Sequence, residues 1–165
     1  MKNSLMMNFS VDKEKKKIKV EREFAAPVSK VWAAWTESKL LEQWWAPKPW
    51  KAKTKSMDFK VGGTWLYAMV SPEGQEHWSR VDYKAITPQQ SFTAKDAFCD
   101  PDGNPNPQFP SSVWTNVFKE SAGYTVVSIE IEHQSLESLE TIMNMGFEGG
   151  FAMGLGNLDE LLLTM

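Results

Sequence analysis

Between Thr125 and Glu132 the chain alternates clearly. Val127, Ile129 and Ile131 fall on one side, and Ser128, Glu130 and Glu132 on the other. A period of two with one apolar side marks a strand in a sheet that is wet on one face. The same period predicts strands over residues 52–59, 64–70, 76–86, 91–98, 112–119 and 124–133. Between them lie Gly62-Gly63, Ser71-Pro72-Glu73-Gly74, Thr87-Pro88, a long loop, and Ser121-Ala122-Gly123, all turn chemistry. An earlier extended segment runs through Ile18, Val20, Arg22 and Phe24 and stops at Ala25-Ala26-Pro27.

Elsewhere the period is helical. Val28, Val31, Trp32 and Trp35 form a stripe after Pro27, which suits a helix start. A second short helix is expected over 38–45, with Ser38 as its cap and Pro47 and Pro49 ending it. Residues 135–165 read as one long helix, with Leu136, Leu139, Met143, Phe147, Phe151, Leu158, Leu161 and Leu162 on one broad face. That stretch carries Gly146, Gly149, Gly150, Gly154 and Gly156. Each glycine inside a helix costs roughly 1 kcal/mol relative to alanine. Gly146, Gly150 and Gly154, spaced four apart, fall on or beside the apolar face. Either the helix approaches something closely there, or space is left for a ligand.

The order of elements is strand, two short helices, about six antiparallel strands and a long amphipathic helix. The expected fold is α+β: a curved antiparallel sheet of six or seven strands with its open face covered by the final helix. Residues 1–16 are expected to be a flexible leader or edge extension, and 17–165 a single domain. The chain has 165 residues, 42% apolar and 24% charged, which fits one globular domain and argues against disorder. A net charge of −3 argues against nucleic acid as the main partner. Lys13, Lys15, Lys16, Lys17 and Lys19 are interrupted by Asp12, Glu14 and Glu21, as on a solvated edge strand. The first ten residues lack the apolar core of a signal peptide, and no stretch is long enough for a membrane span. One cysteine, Cys99, excludes an intramolecular disulfide framework, so a cytoplasmic location is the simplest expectation. Eight tryptophans and nine methionines suit an interior that adapts to variable shapes, and suit a plain core nearly as well.

Phosphate loops, Rossmann glycines, the nucleophile elbow and zinc-protease motifs are missing from the sequence. The loop from Asp100 to Ser111 imitates a calcium loop, but Pro105 stands where the obligatory glycine should be and Ser111 where the final glutamate should be. Cys99 with His77 or His133 is too sparse a set for a nucleophilic pair or a metal site, so neither metal nor cofactor is expected.

Several segments together resemble a known family. They are Arg22-Glu-Phe-Ala-Ala-Pro27-Val-Ser-Lys-Val-Trp-Ala-Ala-Trp-Thr36, Gln43-Trp44-Trp45-Ala46-Pro47, and Val61-Gly62-Gly63-Thr-Trp65. Ser71-Pro-Glu-Gly74, Asp102-Gly-Asn-Pro105, and Gly150-Phe151 with Leu155 and Leu158 follow in order. From about residue 17 onward the chain resembles the activator of heat-shock protein 90 ATPase homologue family, in its bacterial START-like (SRPBCC, helix-grip) branch. The resemblance implies a curved sheet wrapped around a long C-terminal helix with a cavity between them. It does not fix an activity, because related helix-grip proteins bind lipids, hormones or polyketides and some catalyse cyclisation or dehydration. Three departures put an inherited ligand preference in doubt: Phe151 for the family's usual tryptophan, Val81 for a common glycine, and Ser91 for a common arginine.

Strand phase nominates the cavity lining. Trp65, Tyr67 and Met69 share one side, as do Phe92, Ala94, Asp96 and Phe98, and as do Trp114, Asn116 and Phe118. In the strand over 76–86, Val81, Tyr83 and Ala85 are in phase with His77 and Ser79, and the helix adds Met143, Phe147 and Phe151. The expected binding set is therefore Trp65, Tyr67, Met69, His77, Ser79, Tyr83, Asp96, Trp114, Asn116, Met143, Phe147 and Phe151. It is mostly aromatic with a few polar groups, as small-molecule sites are. A buried Asp96 must find a donor or titrate abnormally.

Three functions follow. The leading one is binding of a small hydrophobic or aromatic molecule. The second is a cyclase or hydrolase with His77 and Asp96 as acid–base groups in one pocket. The third is a protein-interaction domain, including chaperone regulation, with an exposed patch that includes Trp44, Trp45 and Trp50. A homodimer stays open.

Overall fold

Alternating segments can bury their apolar sides only by pairing edge to edge and curling around a common core. In the computed structural model, which describes residues 5–165, they form one antiparallel sheet of eight strands. In chain order these are β1 (Met7–Asp12), β2 (Lys17–Phe24), β3 (Lys51–Met57), β4 (Thr64–Val70), β5 (Glu76–Thr87), β6 (Ser91–Phe98), β7 (Ser112–Ser121) and β8 (Tyr124–His133). Across the sheet their order is β1-β2-β8-β7-β6-β5-β4-β3. The strand count exceeds the expected six or seven because Met7–Asp12 pairs with β2 as an edge strand. Residues 1–4 lie outside the described residues.

Helices α1 (Val28–Thr36) and α2 (Ser38–Trp44) connect β2 to β3. Val31, Ala34, Trp35 and Leu41 turn into the core, following the stripe read from the sequence. The expected cap of α2 is corrected by one position: Glu37 occupies it, and no side chain bonds there. Trp44 is fully buried and donates its indole N–H to the Ala34 carbonyl at 2.9 Å. It therefore cannot belong to an exposed patch.

The final segment is two helices, not one. α3 (Leu136–Asn144) is capped by the Ser135 hydroxyl, which accepts from the Ser138 N–H, and α4 (Phe147–Leu162) follows after a break. Gly146 sits in that break with φ of +86°, a conformation that favours glycine. The five glycines thus have different causes. At Gly154 an added Cβ would lie 3.2 Å from the Trp44 carbonyl oxygen and 3.3 Å from that of Trp45, so α4 packs directly on backbone. At Gly150 the nearest atom would be Pro47 Cγ at 3.9 Å, which leaves room. Around Gly149 and Gly156 nothing lies within 4 Å.

Asn157 reinforces the α2–α4 contact by donating to the Ala46 carbonyl at 3.2 Å. Two residues on, Asp159 pairs with Arg22 on β2, whose guanidinium also lies 4.9 Å from the Phe24 ring centre. Two bulges curve the sheet, between Thr54 and Ser56 and between Tyr83 and Ala85. The second shifts the phase of β5. Ala85, expected to face inward, is exposed, and Ile86 packs on the core instead.

The glycines separate experimentally. Gly154→Ala should destabilise by about 1–3 kcal/mol, because neither carbonyl can move freely. Gly149→Ala should stabilise by roughly 0.5–1 kcal/mol through helix propensity. Urea unfolding of the two variants checks both; equal midpoints would contradict the close-packing account.

Candidate functional site

Two adjoining spaces lie between the concave side of the sheet and the helices. The larger is a cavity of ≈ 490 Å³ bounded by β4–β8 and by the α3–α4 junction. The smaller is an inner chamber of ≈ 40 Å³ under α1 and α2. Trp45, Tyr67, Asp96 and Trp114 line both, so they form the wall between them.

The strand register explains how these side chains meet. Antiparallel partners directly opposite one another point to the same face. Trp65 pairs with Val81, Val81 with Asp96, Asp96 with Ser112, and Ser112 with His133. One transverse row thus carries the carboxylate, the hydroxyl and the imidazole across the concave face. The next rows place Trp114 beside Ala94 and Ile131, and Asn116 beside Phe92 and Ile129.

Of the twelve side chains expected at the site, Tyr67, Met69, His77, Ser79, Asp96, Trp114, Phe147 and Phe151 line the large cavity. Trp65, Tyr83 and Asn116 line only the inner chamber. Met143 lines neither; it packs on the core, because the break at Gly146 leaves Ile142 and Met145 facing the cavity in its place. His77 is exposed, its ring 5.3 Å from that of Trp50. It shares the large cavity with Asp96, as the acid–base reading requires, but no hydrogen bond joins them among the described residues.

Sequence reasoning missed Trp45, Ser112 and His133. Trp45 packs against Trp35, Trp44, Trp65, Trp114 and Phe151, with ring centres 4.9 to 6.2 Å apart across this cluster. Its indole N–H donates to Tyr67 Oη at 2.9 Å. The strand phase held the signal for the other two: Ser112 is two residues from Trp114, and His133 two from Ile131.

Burial governs the electrostatics. Tyr67 and Tyr83 are pushed well above the ordinary phenol range by loss of solvent, so both stay protonated. His133 donates from Nδ1 to the Lys16 carbonyl at 3.3 Å, which leaves Nε2 as a buried acceptor with no partner among the described residues. Burial lowers its basicity. Asp96 Oδ1 accepts from the Ser112 N–H at 3.1 Å and from the Ser112 hydroxyl. Burial still outweighs these bonds and raises its carboxyl above the ordinary range. The Trp114 indole pulls slightly the other way without completing a hydrogen bond to it.

A carboxyl that is harder to ionise when folded makes stability fall as pH rises from the unfolded value, about 3.9, to the raised folded value. Above that window the loss is constant. Asp96→Asn keeps an acceptor for Ser112 and removes the ionisation. It should be more stable than the parent at neutral pH, with the difference closing towards pH 4. Urea unfolding across pH tests this, and a pH-independent difference would contradict it.

The described residues contain no helix long and apolar enough to cross a membrane, and no cluster of metal-ligating side chains. The fold matches that of an Arthrobacter aurescens protein solved by NMR, with 26% identity and a TM-score of 0.90 over 96% of this chain and 92% of that one. A crystal structure of the Mycobacterium smegmatis protein Ms6760 matches with 28% identity and a TM-score of 0.87 over 96% and 97%. A Staphylococcus epidermidis protein matches with 26% identity and a TM-score of 0.83 over 94% of each chain. No curated protein matches. The family model described as "Activator of Hsp90 ATPase homolog 1-like protein" covers residues 25–163, which take in β3–β8 and all four helices. The chain belongs to the activator of Hsp90 ATPase homolog 1-like family.

Proposed function

We propose that this protein binds a small, largely apolar or aromatic molecule in the large cavity beneath the α3–α4 junction. The observation that carries the reading is the cavity itself: ≈ 490 Å³, within the range of about 300–1,000 Å³ usual for small-molecule sites. Its lining follows the usual composition, with Trp45, Trp114, Phe147 and Phe151 as apolar walls and His77, Ser79, Asp96 and His133 as a few polar points. Gly150 keeps the α4 side of the cavity open.

The other readings have less support. Catalysis by His77 and Asp96 lacks a bond that would orient the imidazole, whose ring lies against Trp50. The family description suggests chaperone regulation, but Trp44, expected in an exposed interaction patch, is fully buried, and Trp45 belongs to the ring cluster around the cavity. A cytoplasmic site of action is compatible with this reading.

Naphthalene is a suitable probe because it has rings and no polar group. Equilibrium dialysis should show it bound by the parent protein and bound at least about tenfold more weakly by Gly150→Leu, a loss of roughly 1.4 kcal/mol. The variant should remain folded by circular dichroism, since its Cβ meets only Pro47 at ordinary contact distance. Equal binding by both proteins, or none by the parent, would sink the reading.

A further inference from the structure

Three residues that line the inner chamber carry buried polar atoms without hydrogen-bond partners: Trp35 Nε1, Asn116 Oδ1, and Trp114 Nε1, which acts on the Asp96 carboxyl without completing a bond to it. Trp35 is 3% exposed and Asn116 is 1% exposed, so solvent at the surface does not serve them. Among the described residues three other buried atoms lack partners, Trp78 Nε1, His133 Nε2 and Asp159 Oδ1, but none of them lines this chamber. In the same core Trp44 donates to the Ala34 carbonyl, Trp45 to Tyr67 Oη, and Trp65 to Thr54 Oγ1 at 3.0 Å. Buried groups are satisfied in most proteins, and each bare one costs about 1–3 kcal/mol. Three around one space point to a missing atom.

The chemistry of that atom follows from the set. Two N–H groups need an acceptor, and one amide oxygen needs a donor. A hydroxyl oxygen does both, accepting two hydrogen bonds and donating one. A carbonyl or ether would leave Asn116 bare, and a carboxylate would oppose both Asn116 Oδ1 and Asp96, which lines the same chamber. A space of ≈ 40 Å³ exceeds the roughly 10–15 Å³ that one water-sized oxygen needs. Because Trp45, Tyr67, Asp96 and Trp114 line both spaces, a group in the chamber adjoins whatever fills the large cavity.

Resting on the binding role above, we propose that the ligand is an alcohol or phenol whose hydroxyl enters the inner chamber, accepting from Trp35 and Trp114 and donating to Asn116. Its apolar body occupies the large cavity. Water could supply the same hydroxyl chemistry, and the test separates the two sources.

Equilibrium dialysis with 2-naphthol and naphthalene gives, for each protein, the ratio of their affinities. The parent ratio should favour 2-naphthol by at least about tenfold more than the ratio in Asn116→Leu, one hydrogen-bonded group's worth. Naphthalene should bind both proteins alike. Trp35→Phe removes the donor together with part of the buried indole; its naphthalene affinity reports the packing loss, and the ratio should fall about threefold or more, which keeps the comparison available if Asn116→Leu does not fold. A ratio unchanged in the folded variants overturns the proposal: the chamber then holds water alone, while naphthalene binding leaves the cavity reading intact. If the parent binds neither compound, both readings fall together.

Discussion

Helix α4 can lie against the end of α2 only because residue 154 has no side chain. The carbonyls of Trp44 and Trp45 occupy the space a Cβ would need, and Asn157 adds a hydrogen bond to the neighbouring Ala46 carbonyl. That contact fixes where the α2 terminus ends and therefore where Trp45 is aimed. Trp45 in turn meets five other aromatic rings and closes its polar end on Tyr67. Edge-to-face ring pairs are directional, so a cluster of this kind holds its members in place as well as burying them. The wall between chamber and cavity is thus a consequence of one missing methyl group.

The sheet contributes a different kind of order. Its register sets Asp96, Ser112 and His133 in one row, while the next rows, through Trp114 and Asn116, are aromatic or aliphatic apart from Asn116 itself. Polar groups in such a place are unfavourable unless each finds a partner. Ser112 answers Asp96, and the Lys16 carbonyl answers one side of His133. Of the six buried atoms left without partners among the described residues, four belong to residues that line the two spaces: Trp35, Trp114, Asn116 and His133. A core evolved for stability alone would have apolar residues at these positions.

Period-two patterning made most of the fold legible, because a half-wet sheet writes its two faces directly into alternate residues. Strands β4, β6 and β8 begin and end where that pattern predicts, although β4 is buried on both faces from Trp65 to Ala68. The bulge in β5 was invisible for the same reason: one extra residue reverses the phase, and neither Lys84 nor Ala85 marks the spot. Helical periodicity could not reveal the break after Asn144. A glycine every fourth residue looks the same whether it makes a turn, a close contact or a gap, and Gly146, Gly154 and Gly150 do one each. At the site, phase placed Asp96, Trp114 and Asn116 correctly on the inner face. Trp45, expected in an exposed patch with Trp44 and Trp50, lines the cavity instead, because its position depends on a helix more than a hundred residues away.

The terminal segment also changes duty along its length. Residues 142–147 roof the cavity, and residues 154–158 hold α4 to α2 and the core. The α4 turn that carries Gly150 and Phe151 joins the two stretches and lines the cavity as well. Substitutions can therefore accumulate in the roof without loosening the anchor. In lineage terms, the molecule can change what it admits while inheriting unchanged the contact that keeps it folded.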